Sequence, residues 1–169
     1  MLAQTRADLG ADRDARALLT ALVSDDLASL PFDEEWLVCL GLLCEAARAL
    51  DDAEAAGAIY PRLLPYADRV AVAYPEISTG SVSRYLGLLA ATLKQWDAGA
   101  AHFAAAIAVN GRIGARPWRA YAQLDLARML LERGRARDRT TAQQLAGEAA
   151  DAGRQLGMDA LVAAAASLG

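Results

Sequence analysis

Three segments of this chain repeat one another at a fixed interval. Ala56-x-x-x-Tyr60, Gly99-x-x-x-Phe103 and Ala142-x-x-x-Ala146 stand 43 positions apart. Each follows an apolar stretch by one short turn: Leu43-Cys44, Leu86-Gly87 and Leu126-Ala127 precede them in order. Self-similarity at a period of tens of residues is the mark of a solenoid, in which no unit buries its apolar face alone. The expected fold is therefore all-α: a right-handed α-solenoid of antiparallel helix pairs, with about 7–9 helices. Such a stack builds a surface and holds no chemistry of its own.

Composition agrees with that reading. The 169 residues suit one domain with a real core. About a quarter of them are alanine, leucines are many and runs of Val, Ile or Thr are few, which favours helix over strand. A net charge of −4 argues against a nucleic-acid surface, which would normally be basic. No apolar run approaches the roughly 20 residues that span a bilayer, and Met1 to Arg13 already include charges without the pattern of a signal peptide. The expected compartment is the cytoplasm, with no membrane contact and no direct nucleic-acid partner. Cys39 and Cys44 fall in one expected helix and point about 140° apart, so they cannot bridge and read as small buried residues. Two thiols and the single His102 do not make a metal site. No cofactor is expected.

Along the chain, residues 13–30 read as a leading helix, with Ala15, Leu19 and Leu22 on one face. Trp36, Leu40, Leu43 and Ala47 recur at the three-and-four spacing of an amphipathic helix, with Asp33 as its expected N-cap. Asp51-Asp52 opens a partner helix with Ala56, Ile59, Tyr60 and Leu63 on one face, and Pro61 predicts a kink or early break there. These two helices form repeat 1, residues 33–64. A connection over residues 65–79 contains Pro75 and a possible helical turn at Asp68–Tyr74. Repeat 2, residues 80–113, pairs a helix ending near Lys94 with one capped by Asp97. Pro117 suits the start of repeat 3, residues 117–156: Trp118 to Arg133, a loop, then Thr140 to Gln155 stopped by Gly157. Residues 159–168 form a short apolar closing helix.

Leu86-Gly87, then Ala90, Trp96, Asp97, Gly99, Phe103, Ala106 and Asn110, resemble the tetratricopeptide repeat. That pattern puts small residues where the two helices of a pair cross and a large ring in the gap between them. Repeat 1 follows it with Leu43, Cys44, Ala47, Ala56, Tyr60 and Leu63. Repeat 3 follows with Leu126, Ala127, Leu130, Gly134, Ala142 and Ala149, but has Ala146 where a ring is expected. The usual period is 34. About nine extra residues follow repeat 1, about six follow repeat 2, and about three enter the loop of repeat 3. The equal spacing of the second helices is thus partly coincidence, and the pattern within each repeat weighs more.

A narrower resemblance runs through residues 15–157. Gly80-Ser81-Val82-Ser83-Arg84-Tyr85-Leu86-Gly87 and Gly114-Ala115-Arg116-Pro117-Trp118 resemble the C-terminal helical region of large bacterial LuxR-type or cyclase–ATPase multidomain transcriptional regulators. No phosphate-binding loop, cyclase segment or DNA-binding segment accompanies them. The resemblance therefore implies only the role of the tail: a non-catalytic, protein-interaction or regulatory module of a signalling or transcriptional regulator. Its implied partner is a protein or peptide, including other domains of a longer regulator. The rival expectation is a small-molecule effector sensor that uses the solenoid groove. An enzyme is not expected, since no nucleophile–base pair can be assembled.

In a tetratricopeptide array the first helix of each pair lines the concave face. That pattern nominates Glu45, Arg48, Ser81, Arg84, Leu88, Thr92, Tyr121, Arg128 and Glu132, with Arg116 and Trp118 beside them. The competing reading is an ordinary surface with structural ion pairs. The places where some such domains clamp a terminal carboxylate hold Gly41, Leu42 and Glu45, so that clamp is absent. Arg84, Arg116 and Trp118 are the sharpest candidates, because Arg and Trp dominate binding hot spots. Trp118 could equally be a staple closing repeat 2 onto repeat 3. His102, next to the core ring Phe103, reads as a packing or surface residue. Asp51, Asp52, Asp97 and Asp138 stand at helix starts and read as caps. The apolar run Leu161 to Ala166 suggests a longer array or a buried end, most simply a homodimer.

Overall fold

A computed structural model of the chain describes residues 12–24, 27–73 and 77–168. The expectations drawn from the first eleven residues, and those for Tyr74 and Pro75, lie outside that range. The described residues are mostly helical: α1 (Asp12–Val23), α2 (Trp36–Ala49), α3 (Ala53–Leu63), α4 (Val82–Thr92), α5 (Trp96–Arg112), α6 (Arg116–Arg133), α7 (Asp138–Leu156) and α8 (Asp159–Ala166). A 3-10 turn, Leu64–Tyr66, and two short strands, β1 (Val70–Ala73) and β2 (Ile77–Ser81), join α3 to α4. From α4 onward each helix packs on the next in chain order, and α4 also rests against α2 and α3.

The turns after α2, α4 and α6 share one backbone conformation. Asp51 after α2, Lys94 after α4 and Gly134 after α6 all take a left-handed backbone, φ +48°, +57° and +67°. At the first two, the next backbone N–H reaches back across the turn, Asp52 to the Ala47 carbonyl and Gln95 to the Ala90 carbonyl. These are Schellman-type stops, which satisfy the orphan carbonyls of the helix end. Gly114 and Gly157 repeat the device between pairs, with Ala115 bonding back to Asn110 and Met158 to Gly153.

Small residues let the helices approach. A Cβ added at Gly87 would lie 2.7 Å from Phe103 Cδ1 and Cε1, and one at Gly41 would lie 2.8 Å from Tyr85 Cζ. The Gly–ring pairing expected from Leu86-Gly87 and Phe103 is therefore the contact between α4 and α5. Phe103 and Leu86 are fully buried, as are Ile59 and Leu63 of α3 and Leu124 and Met129 of α6. All eleven residues of α4 are buried, so it is the hub of the packing rather than an amphipathic surface helix.

Several local expectations are corrected. Val70–Ala73 and Ile77–Ser81 pair as antiparallel strands, not a helical turn: Val70 faces Ser81, Ala71 faces Gly80, Val72 faces Ser78 and Ala73 faces Ile77. The bulge between Ala71 and Val72 leaves Thr79 without a partner in the ladder. Burial alternates along β1, with Ala71 and Ala73 inside and Val72 out, the period of a strand. The leading helix stops at Val23 rather than 30, and Leu27 turns with φ +63° to bury its side chain. Asp33 is not the cap of α2, which begins at Trp36; its carboxylate instead accepts from the Glu35 N–H at 3.0 Å. Pro61 does not break α3 early, because the helix runs through it to Leu63 and only then tightens into the 3-10 turn. Asp52 does cap α3, accepting from Ala55 N–H at 3.0 Å while Arg16 of α1 holds its other oxygen at 2.8 Å.

Candidate functional site

Helices α2, α4 and α6 share a cluster of charges. Arg84 of α4 is 5% exposed and sits between two carboxylates. Its Nε donates to Asp125 Oδ2 of α6 at 2.8 Å, and Nη1 donates to Glu45 Oε1 of α2 at 2.7 Å. Its guanidinium carbon lies 5.4 Å from the Tyr85 ring centre and 5.3 Å from that of Tyr121. Burial alone would depress the Arg84 pKa, but the charges of Asp125 and Glu45 outweigh it and raise it further. Burial likewise pushes Tyr85 up to about 12 despite the nearby Arg84, and its hydroxyl donates to the Thr79 carbonyl at 3.2 Å. Arg128 extends the cluster outward, 3.5 Å from Asp125. Arg48 of α2 meets Glu132 of α6 directly.

The nominated face divides into two groups. Glu45, Arg48, Tyr121, Arg128 and Glu132 are wholly or partly open to solvent. Ser81, Arg84, Leu88 and Thr92 are buried. Ser81 caps α4, its hydroxyl accepting from Ser83 N–H, while its own N–H donates to Asn110 Oδ1 at 3.0 Å. Thr92 donates back to the Leu88 carbonyl at 3.0 Å. These four are buried side chains rather than a solvent-facing lining. Asp125 was missed, yet its spacing of four from Tyr121 and three from Arg128 places it on their side of the helix.

Trp118 and Arg116 separate. Trp118 is half-buried, and a Cβ at Gly80 would lie 2.6 Å from its Cβ. Its ring stands 5.7 Å from Tyr121. Trp118 thus packs β2 against α6. Gly80, at φ +78° and against this ring, is a position only glycine fits. Arg116 is exposed and donates across to Gln155 of α7. It lines a polar cleft of about 410 Å³ with Arg119, Gln123, Glu148, Asp151 and Gln155.

The remaining singled-out residues make contacts within the protein. The Tyr60 hydroxyl and His102 Nε2 are 2.8 Å apart, tying α3 to α5, and burial lowers the His102 pKa. Asp97 does not cap α5, whose N-cap is Gln95; it is exposed and pairs with Arg135 at 2.9 Å. Asp138 joins α6 to α7, accepting from Arg133 Nη2 at 2.7 Å and from the Arg135 N–H at 2.9 Å. These hydrogen bonds, that from Arg133 foremost, hold its carboxyl down at about 2. Cys39 is half-buried and Cys44 buried, both free. Among the described residues no group of three or more His, Cys, Asp or Glu could hold a metal ion, and no helix is long and apolar enough to cross a membrane. No protein-family model, curated protein or solved structure matches this chain.

Proposed function

We propose that pairs α2–α3, α4–α5 and α6–α7 form a right-handed, tetratricopeptide-like solenoid whose inner face, formed by α2, α4 and α6, receives a protein or peptide partner. The chain then acts as a non-catalytic interaction or regulatory module of a bacterial signalling regulator, in the cytoplasm. The observation that carries the reading is the charge cluster itself. Arg84 binds α2 and α6 to α4, and Glu45, Arg128 and Glu132 present both signs of charge to solvent along one face. Mixed charge over a preorganised scaffold gives specificity and register to a partner more than raw affinity. The shared turn chemistry of the three pairs supports the repeat assignment.

Selection of a displayed peptide library on the purified protein tests this. Enriched peptides should lose binding about tenfold or more on Arg128→Glu, while Arg154→Glu, on the exposed face of α7, leaves binding unchanged. Peptides indifferent to Arg128→Glu, or no enrichment at all, would reject the inner face as the binding surface. One observation favours the effector-sensing alternative: the cleft between α6 and α7 has ligand-like volume, about 410 Å³, with basic and acidic groups converging on it. A metabolite screen giving a melting shift abolished by Arg119→Ala, with no peptide binding, would select that alternative.

A further inference from the structure

We infer that the Arg48–Glu132 ion pair is a latch that holds the inner face closed over the floor formed by Arg84, Leu88 and Thr92 of α4. The inference rests on the reading of that face as the binding surface, and it gives the surface a gate. Helices α2 and α6 are not packed neighbours; both lean on other elements. Ion pairs join them across α4. The inner bridge runs Glu45–Arg84–Asp125 and is mostly buried, whereas the outer one, Arg48–Glu132, stands at 22% and 42% side-chain exposure.

The floor beneath is a single stripe. Arg84, Leu88 and Thr92 follow one another at intervals of four on α4, so they share one side of the helix. Aligning Leu86 with Leu126 brings Thr92 level with Glu132, at the latch end of the stripe. Leu88 and Thr92 are nonetheless only 4% and 3% exposed. A partner cannot reach them unless α2 and α6 part. The inner bridge resists parting, because separating it strands buried charge. The outer bridge yields readily, because exposed ion pairs are weak and are screened by salt. The latch therefore opens to a charged segment that competes for Arg48 or Glu132, and such a segment then finds an apolar and hydroxyl-bearing floor.

The test is cysteine labelling on the full chain, read by peptide mass spectrometry, with Cys39→Ser to remove the half-buried thiol. Thr92→Cys reports latch opening. Cys44, fully buried, reports any wider opening of α2. Arg48→Ala and Glu132→Ala should each raise labelling at position 92 about two- to fivefold, the ratio an exposed pair of ordinary strength can hold shut. Cys44 labelling should not change. The swap Arg48→Glu with Glu132→Arg should restore the slow rate. Salt should speed labelling in the parent and not in the alanine variants. Should Thr92→Cys lower the melting temperature appreciably, Leu88→Cys repeats the measurement one turn away. The proposal is overturned if the single variants label as slowly as the parent, if the swap does not restore the rate, or if Cys44 accelerates in step with position 92. None of these readouts requires a ligand, so the latch can fail while peptide binding succeeds, and the reverse.

Discussion

Replacing Gly87 by alanine sets two effects of known size against each other. In an open helix the change is favourable by about 0.5–1 kcal/mol, because glycine loses more backbone freedom on folding. At Gly87 the new methyl would meet Phe103 Cδ1 and Cε1 at 2.7 Å and Cγ at 2.9 Å. Carbon atoms settle at about 3.5–4.0 Å, so the ring or the helix must retreat by about 1 Å inside a fully packed core. Overpacking of this kind costs about 1–3 kcal/mol. Gly147, in the exposed part of α7, is the internal control, since a Cβ there meets nothing within 4 Å. Gly147→Ala should stabilise and Gly87→Ala should not, with a gap of about 1–3 kcal/mol between them. In a domain of this size that gap is about 2–12 °C in melting temperature. Urea denaturation would measure it, and Phe103→Leu in the Gly87→Ala background should recover part of the loss. Two alanine variants of equal stability would mean that α4 and α5 do not meet as described.

Three further outcomes follow from the charges and the chain end. Arg84→Met should cost about 3–5 kcal/mol in chemical denaturation by leaving buried Asp125 with only the longer contact to Arg128, and Arg84→Met with Asp125→Leu should recover much of it; equal losses in single and double variants would deny the pairing. Asp138 is held at about 2 against an ordinary 3.8, so its contribution to stability is complete above about pH 4 and is lost as the pH falls through 2. Acid titration of Asp138→Asn should accordingly show a flatter decline over that window. Leu161→Ala should cost about 2–5 kcal/mol, because Leu161 is buried against Gly153 of α7, and an unchanged melting curve would detach α8 from the core.

Much of this architecture is visible in the amino-acid pattern, for local reasons. Leu86-Gly87 and Phe103 announce a close helix crossing because only a residue without a side chain admits a ring there. Asp52, Pro117 and Gly157 mark their helix ends through cap and turn chemistry that depends on neighbours in sequence. The strand pair is illegible by comparison. Val70-Ala71-Val72-Ala73 is too short to reveal its alternation, and its partner strand holds Ser, Thr and Gly, so the pairing depends on contacts with α2, α5 and α6. The charge cluster was half legible. The repeat register put Glu45, Arg84 and Arg128 on one face, and the same spacing extends to Asp125. The register did not show that α4 would be covered on every side. That depends on α2, α3, α5 and α6 all packing on α4, a set of long-range contacts that no local pattern encodes.

The claim on which the account rests is that α4 is the buried hub, with α2, α3 and α5 packed around it. Native-state hydrogen exchange followed by mass spectrometry tests it directly. Amides of Val82–Thr92 should be the most protected in the chain, exchanging only with global unfolding, and protection should fall away toward α1 and α8. Exchange in residues 82–92 as fast as that in residues 159–166 would contradict the account.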